Sequence, residues 1–233
     1  MLISAVVFAV MGEPGTESAA RRTTTFAAYL REGAQTFAGD RRFRLFVFAQ
    51  WSSGAVLLAM PFYVVQAFES SFQVADVAWL LGAQTAGALA SNALWGWWGD
   101  RLGKSSLLHV IAFARMVPPC LILLVAFLGD MPAPALIGVY LCAFFILGAL
   151  ANGLTIAVIG FLMEISPADR RPSYSGYFNA LTAPAFLFPL LGGAIASVAG
   201  LSVVFVISLI AAAMQFMCVG RIRAIPQASD TGA

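Results

Sequence analysis

At 233 residues, 61% apolar and only 10% charged, the chain exceeds the apolar share of about 45–50% usual in soluble domains. A soluble fold of this length cannot hide so much apolar surface in one core, so lipid is the expected solvent for most of it. The net charge of +2, with no basic run interleaved with aromatics, gives no reason to expect nucleic acid.

Residues 1–11 carry an apolar run, Leu2 to Met11, too short to cross a bilayer, which takes about 20 residues. It has no basic leader and no small-residue cleavage site, so it reads as a partial span and not as a signal peptide. Residues 12–43 are polar and expected to form a cytoplasmic loop. Within them Phe26, Tyr29, Leu30 and Phe37 can line one face of a short interfacial helix; a flexible loop with scattered aromatics is the competing reading.

Residues 44–221 carry the expected membrane domain. Six apolar segments, near 45–67, 77–98, 106–128, 133–162, 175–198 and 200–220, are each long enough for a helical span. The fold class is therefore all-α, a polytopic bundle of six full transmembrane helices. Residues 222–233 are expected to form a disordered cytoplasmic tail.

Charge placement gives the orientation. Arg21, Arg22, Arg31, Arg41, Arg42 and Arg44 precede the first full span, and Arg101 and Lys104 lie between the second and third. Arg170 and Arg171 separate the fourth from the fifth, and Arg221 and Arg223 follow the sixth. One side thus holds 12 of the 13 basic residues, while the opposite loops carry Glu69, Asp76 and Asp130. Both termini are expected in the cytoplasm, and the inner (cytoplasmic) membrane is the expected location.

The thirteenth basic residue, Arg115, lies about ten residues into the third span. A charge at mid-bilayer costs at least about 2.5–3.5 kcal/mol on insertion scales, so Arg115 either faces a water-filled cavity or snorkels to the surface along its stem. Gln50, Gln84, Asn92, Asn152, Thr155, Asn179 and Thr182 are the other polar residues read at depth. Each either lines a cavity or hydrogen-bonds between helices; Gln84 and Asn152, away from the span ends, are the stronger cavity candidates. Gly82, Ala86 and Ala90 in the second span, and Ala149, Gly153 and Ala157 in the fourth, read as packing faces. Trp95, Trp97 and Trp98 are expected at the cytoplasmic interface.

Catalysis finds no foothold. Cys120, Cys142 and Cys218 lie in apolar runs without ligand spacing, and His109 is the single histidine, so neither disulfide nor metal is expected. No phosphate-cradling loop or nucleophile elbow is present. No cofactor is expected, and the chain is not read as an enzyme; a membrane-embedded transferase would show clustered Asp, His or Glu at one membrane face.

Between the second and third spans stands Gly96-Trp97-Trp98-Gly99-Asp100-Arg101-Leu102-Gly103-Lys104. Glycine suits a tight turn between helices, and the adjacent opposite charges can hold partners that separate during a conformational change. This run resembles the signature loop of the major facilitator superfamily. Glu164, Arg170, Arg171 and Tyr177-Phe178-Asn179, followed by Pro189-Leu190-Leu191-Gly192-Gly193 interrupting the fifth helix, look like the family's corresponding loop and helix. The fuller antiporter pattern has glycine where Phe188 stands, so antiport is not inferred.

The resemblance covers residues 45–220 and is closest to the C-terminal half of such a transporter. A span remnant followed by a polar loop precedes the bundle, no long linker follows it, and the fourth span lacks an intramembrane arginine. The resemblance implies a secondary transporter module that moves a small solute by alternating access between two six-helix halves. The second half is then another copy of this chain or a separately encoded N-terminal half. It also implies that Asp100, Arg101, Glu164, Arg170 and Arg171 form a cytoplasmic gate network, against the plainer reading of topology-setting charge. In a homodimer Asp100 would address the helix start near Ser173 of the partner copy. The alternative function is an accessory subunit or truncated remnant without transport.

Overall fold

The computed structural model describes residues 25–129, 131–168 and 170–225. The apolar run at 1–11 and the tail from Pro226 lie outside them. The chain divides into two compact units, Met1–Glu32 and Gly33–Ala233. Of the first, residues 25–32 are described; they open helix α1 (Phe26–Gly39). Among the described residues there is no strand.

The second unit is a helical bundle. Asp40 starts α2 (Arg41–Val56), its Oδ1 accepting the Phe43 N–H at 3.0 Å, which satisfies one of the orphan donors of a helix start. A short 3-10 turn at Leu57–Ala59 and Pro61 then pass the chain to α3 (Phe62–Glu69). Gln73 and Asp76 cap the start of α4 (Val74–Arg101) reciprocally, the Gln73 N–H donating to Asp76 Oδ2 at 2.8 Å. The next span comprises α5 (Lys104–Ala114) and α6 (Val117–Leu128), followed by the uninterrupted α7 (Ala133–Ile165). Then come α8 (Arg171–Thr182), a 3-10 segment at Ala183–Leu187, α9 (Phe188–Ala199) and α10 (Leu201–Arg223).

The first, third and fifth expected spans are all broken near a proline, which supplies no N–H to the helical ladder. Pro61 stands at the first break, Pro118-Pro119 open α6, and Pro184 sits within the third break. The fifth span breaks one turn earlier than the Pro189–Gly193 run suggests. Pro189 instead occupies the first turn of α9, where its fixed φ fits and its missing N–H costs nothing.

Among the described residues, five segments are long and apolar enough to cross a membrane: Arg41–Glu69, Lys104–Leu128, Ala133–Ile165, Arg171–Ala199 and Leu201–Arg223. The expected second span, α4, has 28 residues, about 42 Å at 1.5 Å per residue, so length is not what separates it from the five. Its apolar density is lower because Asp76, Gln84, Thr85, Ser91 and Asn92 share it with several glycines. Large apolar side chains such as Phe127, Val198, Leu190 and Trp79 stand exposed on the bundle, as lipid-facing residues do and as water would not tolerate in such number. The chain is an integral membrane protein.

Buried apolar clusters and aromatic contacts hold the second unit together. In one cluster, Tyr63, Leu80, Ile122, Tyr140, Phe144 and Phe205 are buried; the Tyr140 hydroxyl donates to the Gln66 carbonyl at 3.0 Å and meets Ser70 Oγ at 2.8 Å. Elsewhere, Phe46 stacks on Phe178 at 4.7 Å and meets Phe161 edge-on at 4.9 Å, while Phe43 meets Tyr174 at 5.1 Å.

The crossing of α4 on α7 is closest at two glycines. A Cβ built on Gly148 would lie 1.8 Å from the Gln84 carbonyl oxygen, and one on Gly87 would lie 2.0 Å from that of Phe145. These backbones touch because both helices lack a side chain there. The expected packing face of α4 is therefore off by one register. Gly82, Ala86 and Ala90 are exposed, and the buried stripe runs Leu80, Gly87, Ser91 and Trp95. On α7 the expected face holds better, with Gly153 and Ala157 buried and Ala149 partly buried. Trp95 and Trp97 differ in burial. Trp95 is buried and donates its indole N–H to the Ala149 carbonyl at 2.6 Å, whereas Trp97 is half exposed.

Candidate functional site

Arg115 is 6% exposed, at the bend between α5 and α6. Its Nη1 donates to Ser53 Oγ of α2 and, at 3.0 Å, to Gln215 Oε1 of α10; its Nη2 donates to the Ser53 carbonyl at 3.1 Å. Ser53 and Gln215 are themselves buried, at 1% exposure each. Three membrane segments are thus tied through one guanidinium by neutral acceptors. The site has the cation–dipole character expected where a charge is held in lipid without a carboxylate partner.

Arg115 also stands in the wall of a cavity of about 80 Å³ with Val56, Met60, Tyr63, Leu150 and Ala151. That is room for two or three waters at about 30 Å³ each. The Arg115 side chain is buried among α2, the α5–α6 bend and α10. Neither Ser53 nor Gln215 stood out as a site residue in the sequence. Gln215 carries the signal that would have found it, a single amide within Ala211–Val219 of an otherwise apolar span.

The other polar candidates lie elsewhere. Asn152 Nδ2 donates to Asn92 Oδ1 at 3.0 Å and approaches the Ala88 carbonyl at 3.4 Å, so this amide pair bridges α4 and α7. Gln84 is partly buried, and its backbone forms the glycine crossing already described. Gln50 is partly buried on α2 and Asn179 exposed on α8. None of these five is in the wall of the Arg115 cavity. Thr155 and Thr182 turn their hydroxyls back to Ala151 and Phe178 of their own helices.

At the other candidate site the loop between α4 and α5 is drawn onto the end of α7. Gly103 has φ +84° and ψ 154°, a conformation essentially reserved for glycine. That turn brings the Lys104 N–H, first of α5, to 3.2 Å from Glu164 Oε1. Glu164 therefore supplies from α7 the anionic acceptor that a helix start favours. Lys104 Nζ meets Asp100 Oδ1 at 2.8 Å, and its side chain runs between Gly99 and Gly160, where an added Cβ would come within 2.9 Å of Nζ and 2.8 Å of Cδ. Gly96 has open space around it. Arg101 lies outward, its guanidinium 5.8 Å from the centre of the Trp97 ring.

Asp100, Gly103, Lys104 and Glu164 thus form one contiguous cluster. Arg170 and Arg171 are exposed at the start of α8. There the Tyr174 hydroxyl donates to Asp40 Oδ2 at 3.3 Å and joins α8 to the start of α2, a contact the charge pattern did not suggest.

Three consequences are measurable. Gly103→Ala is expected to cost about 1–3 kcal/mol through backbone strain, seen as a lower melting temperature of the purified protein. Glu164→Ala removes the trans cap of α5 and is expected to cost about 0.5–1 kcal/mol. Asp100→Asn breaks only an exposed pair and should stay within about 0.5 kcal/mol.

The sequence pattern that defines the Major Facilitator Superfamily matches residues 43–231. No curated protein and no solved structure gives a significant match. With the family pattern covering well over half of the chain, the chain belongs to the major facilitator superfamily.

Proposed function

We propose that the bundle is one half of a secondary transporter, working with a second six-helix bundle to move a small solute by alternating access. On this reading α4 also crosses the membrane and brings the number of spans to six, both termini are cytoplasmic, and the host membrane is the inner one. The observation that carries the proposal is the family match over residues 43–231. Solute sites of this kind of transporter lie near the midplane between repeats, and one bundle supplies only one wall. The second bundle is another copy, a separately encoded half, or the remainder of a longer chain.

The charge placement supports the orientation, and the Asp100–Lys104–Glu164 cluster supports a cytoplasmic gate. Asp100 is 77% exposed, which leaves it accessible to a helix start such as that at Ser173 in a second bundle. The gate residues inferred from the resemblance, Asp100, Arg101, Glu164, Arg170 and Arg171, then act across the two halves.

The test is transport. Proteoliposomes holding the chain with the bundle it co-purifies with are expected to accumulate at least one member of a labelled panel of carboxylates, sugars and amino acids down an imposed ion gradient. Arg115→Ala proteoliposomes should lose that uptake. Uptake no greater than in protein-free liposomes across the panel would count against the transporter reading and favour a non-transporting subunit.

A further inference from the structure

The hydrogen bonds around Arg115 leave one edge of its guanidinium for a ligand. A guanidinium has five N–H donors in a fixed plane. Ser53 engages both terminal nitrogens, Nη1 through its hydroxyl and Nη2 through its carbonyl, and so occupies the edge between them. Gln215 takes the second Nη1 hydrogen. Among the described residues no acceptor meets Nε or the second Nη2 hydrogen; these donors sit on adjacent nitrogens, and such a pair is what a carboxylate engages with two parallel bonds. Arg115 is 94% buried by its 6% exposure, yet stands in the wall of the 80 Å³ cavity.

The rest of that wall suits a short organic anion. Tyr63 lines it and is 2% exposed, which places a phenol in the same small space as the guanidinium. Val56, Leu150 and Pro118 make the remaining surface apolar. Met60 and Ala151 line the cavity and are also exposed on the outside of the bundle, so the cavity opens between α7 and the break that precedes α3. Among the described residues no acidic side chain lines it, so the charge balance is completed from outside.

We propose that this cavity is a carboxylate-binding site, in which the free edge of Arg115 takes the carboxylate of a small monocarboxylic acid and the apolar wall takes its short carbon chain. The inference rests on the transporter reading for its biological sense, since it names the substrate class. Its test is of binding alone, so the two can fail separately.

The full chain in detergent is melted with increasing sodium propionate, ionic strength being held constant with sodium chloride. A rise in Tm that grows with the logarithm of propionate concentration above Kd is expected, roughly 3–6 °C at ten times Kd. Ala151→Phe, which fills the mouth without touching Ser53, Gln215 or Arg115, should abolish the rise while leaving the unliganded Tm near that of the parent. Arg115→Lys keeps the charge and loses the fork, and should weaken propionate at least tenfold. Tyr63→Phe should weaken it less.

No rise with the parent protein overturns the carboxylate site and leaves the transporter reading standing with a neutral solute. A rise that survives in Ala151→Phe or Arg115→Lys also overturns it, because binding is then elsewhere. An equal rise when chloride replaces the bulky anion gluconate in propionate-free buffer overturns it in favour of a generic small-anion site.

Discussion

Gly148→Leu is expected to abolish recovery of folded protein. The substituted Cβ would stand 1.8 Å from the Gln84 carbonyl oxygen, well inside van der Waals contact, and the obstacle is backbone that no rotamer change can move. Overpacking in cores ordinarily costs about 1–3 kcal/mol because side chains give way. Here α4 and α7 would have to separate along their length, breaking the Trp95–Ala149 and Asn92–Asn152 hydrogen bonds with them. The loss should exceed about 4 kcal/mol, in the range reserved for severe lesions. Even Gly148→Ala should lower yield and Tm sharply, and Gly87→Ala should do the same against Phe145. Gly82→Ala, on the same helix but with open space around it, should leave both unchanged. Fluorescence-detected size exclusion of the tagged variants separates these outcomes.

The second large effect concerns the arginine cage. Gln215→Leu leaves the Nη1 hydrogen of a buried cation without its acceptor, at a cost of about 1.5–3 kcal/mol for a bond to a charged group. The Tm should fall by roughly 3–12 °C. Arg115→Met in the same protein removes the charge that made the loss expensive, so the double variant should be more stable than Gln215→Leu alone. A double variant in which the two losses simply add would show that Arg115 and Gln215 do not interact energetically, whatever their 3.0 Å separation.

Much of the fold was legible because lipid makes demands that composition must meet. Long apolar stretches and their spacing delivered the helices. The breaks were less legible. Pro61, Pro118 and Pro184 each interrupt a run whose hydropathy reads as continuous, since hydropathy is blind to backbone N–H supply. The register of α4 was missed for a related reason. A stripe of small residues marks possible close approach without saying which stripe meets the neighbour, and Gly82-Ala86-Ala90 and Gly87-Ser91 are adjacent stripes on one helix.

The candidate site divides the same way. Arg115 announced itself, because a charge deep in a span is rare and needs a reason. Its partners did not, because Ser53 is ordinary in a membrane helix and Gln215 is remote in sequence. Asn92 and Asn152 read in the sequence either as cavity lining or as a bridge between helices, and they hydrogen-bond each other across a helix crossing, the commoner use of an amide in lipid. In the loop, the spacing from Asp100 to Lys104 disclosed a turn, and the positive φ of Gly103 supplies its physical reason. That Glu164 caps the Lys104 N–H could be read only once the end of α7 was seen beside the start of α5.

The most direct test of the central claim is native mass spectrometry of the tagged chain, released gently from its own host's membranes. The account predicts a particle containing two six-helix bundles, either two copies of this chain, this chain with a second six-helix protein, or both bundles on one longer polypeptide. A solitary 24.6 kDa chain would contradict it, and the loop cluster and the arginine cage would then be structural features of a bundle that does not transport.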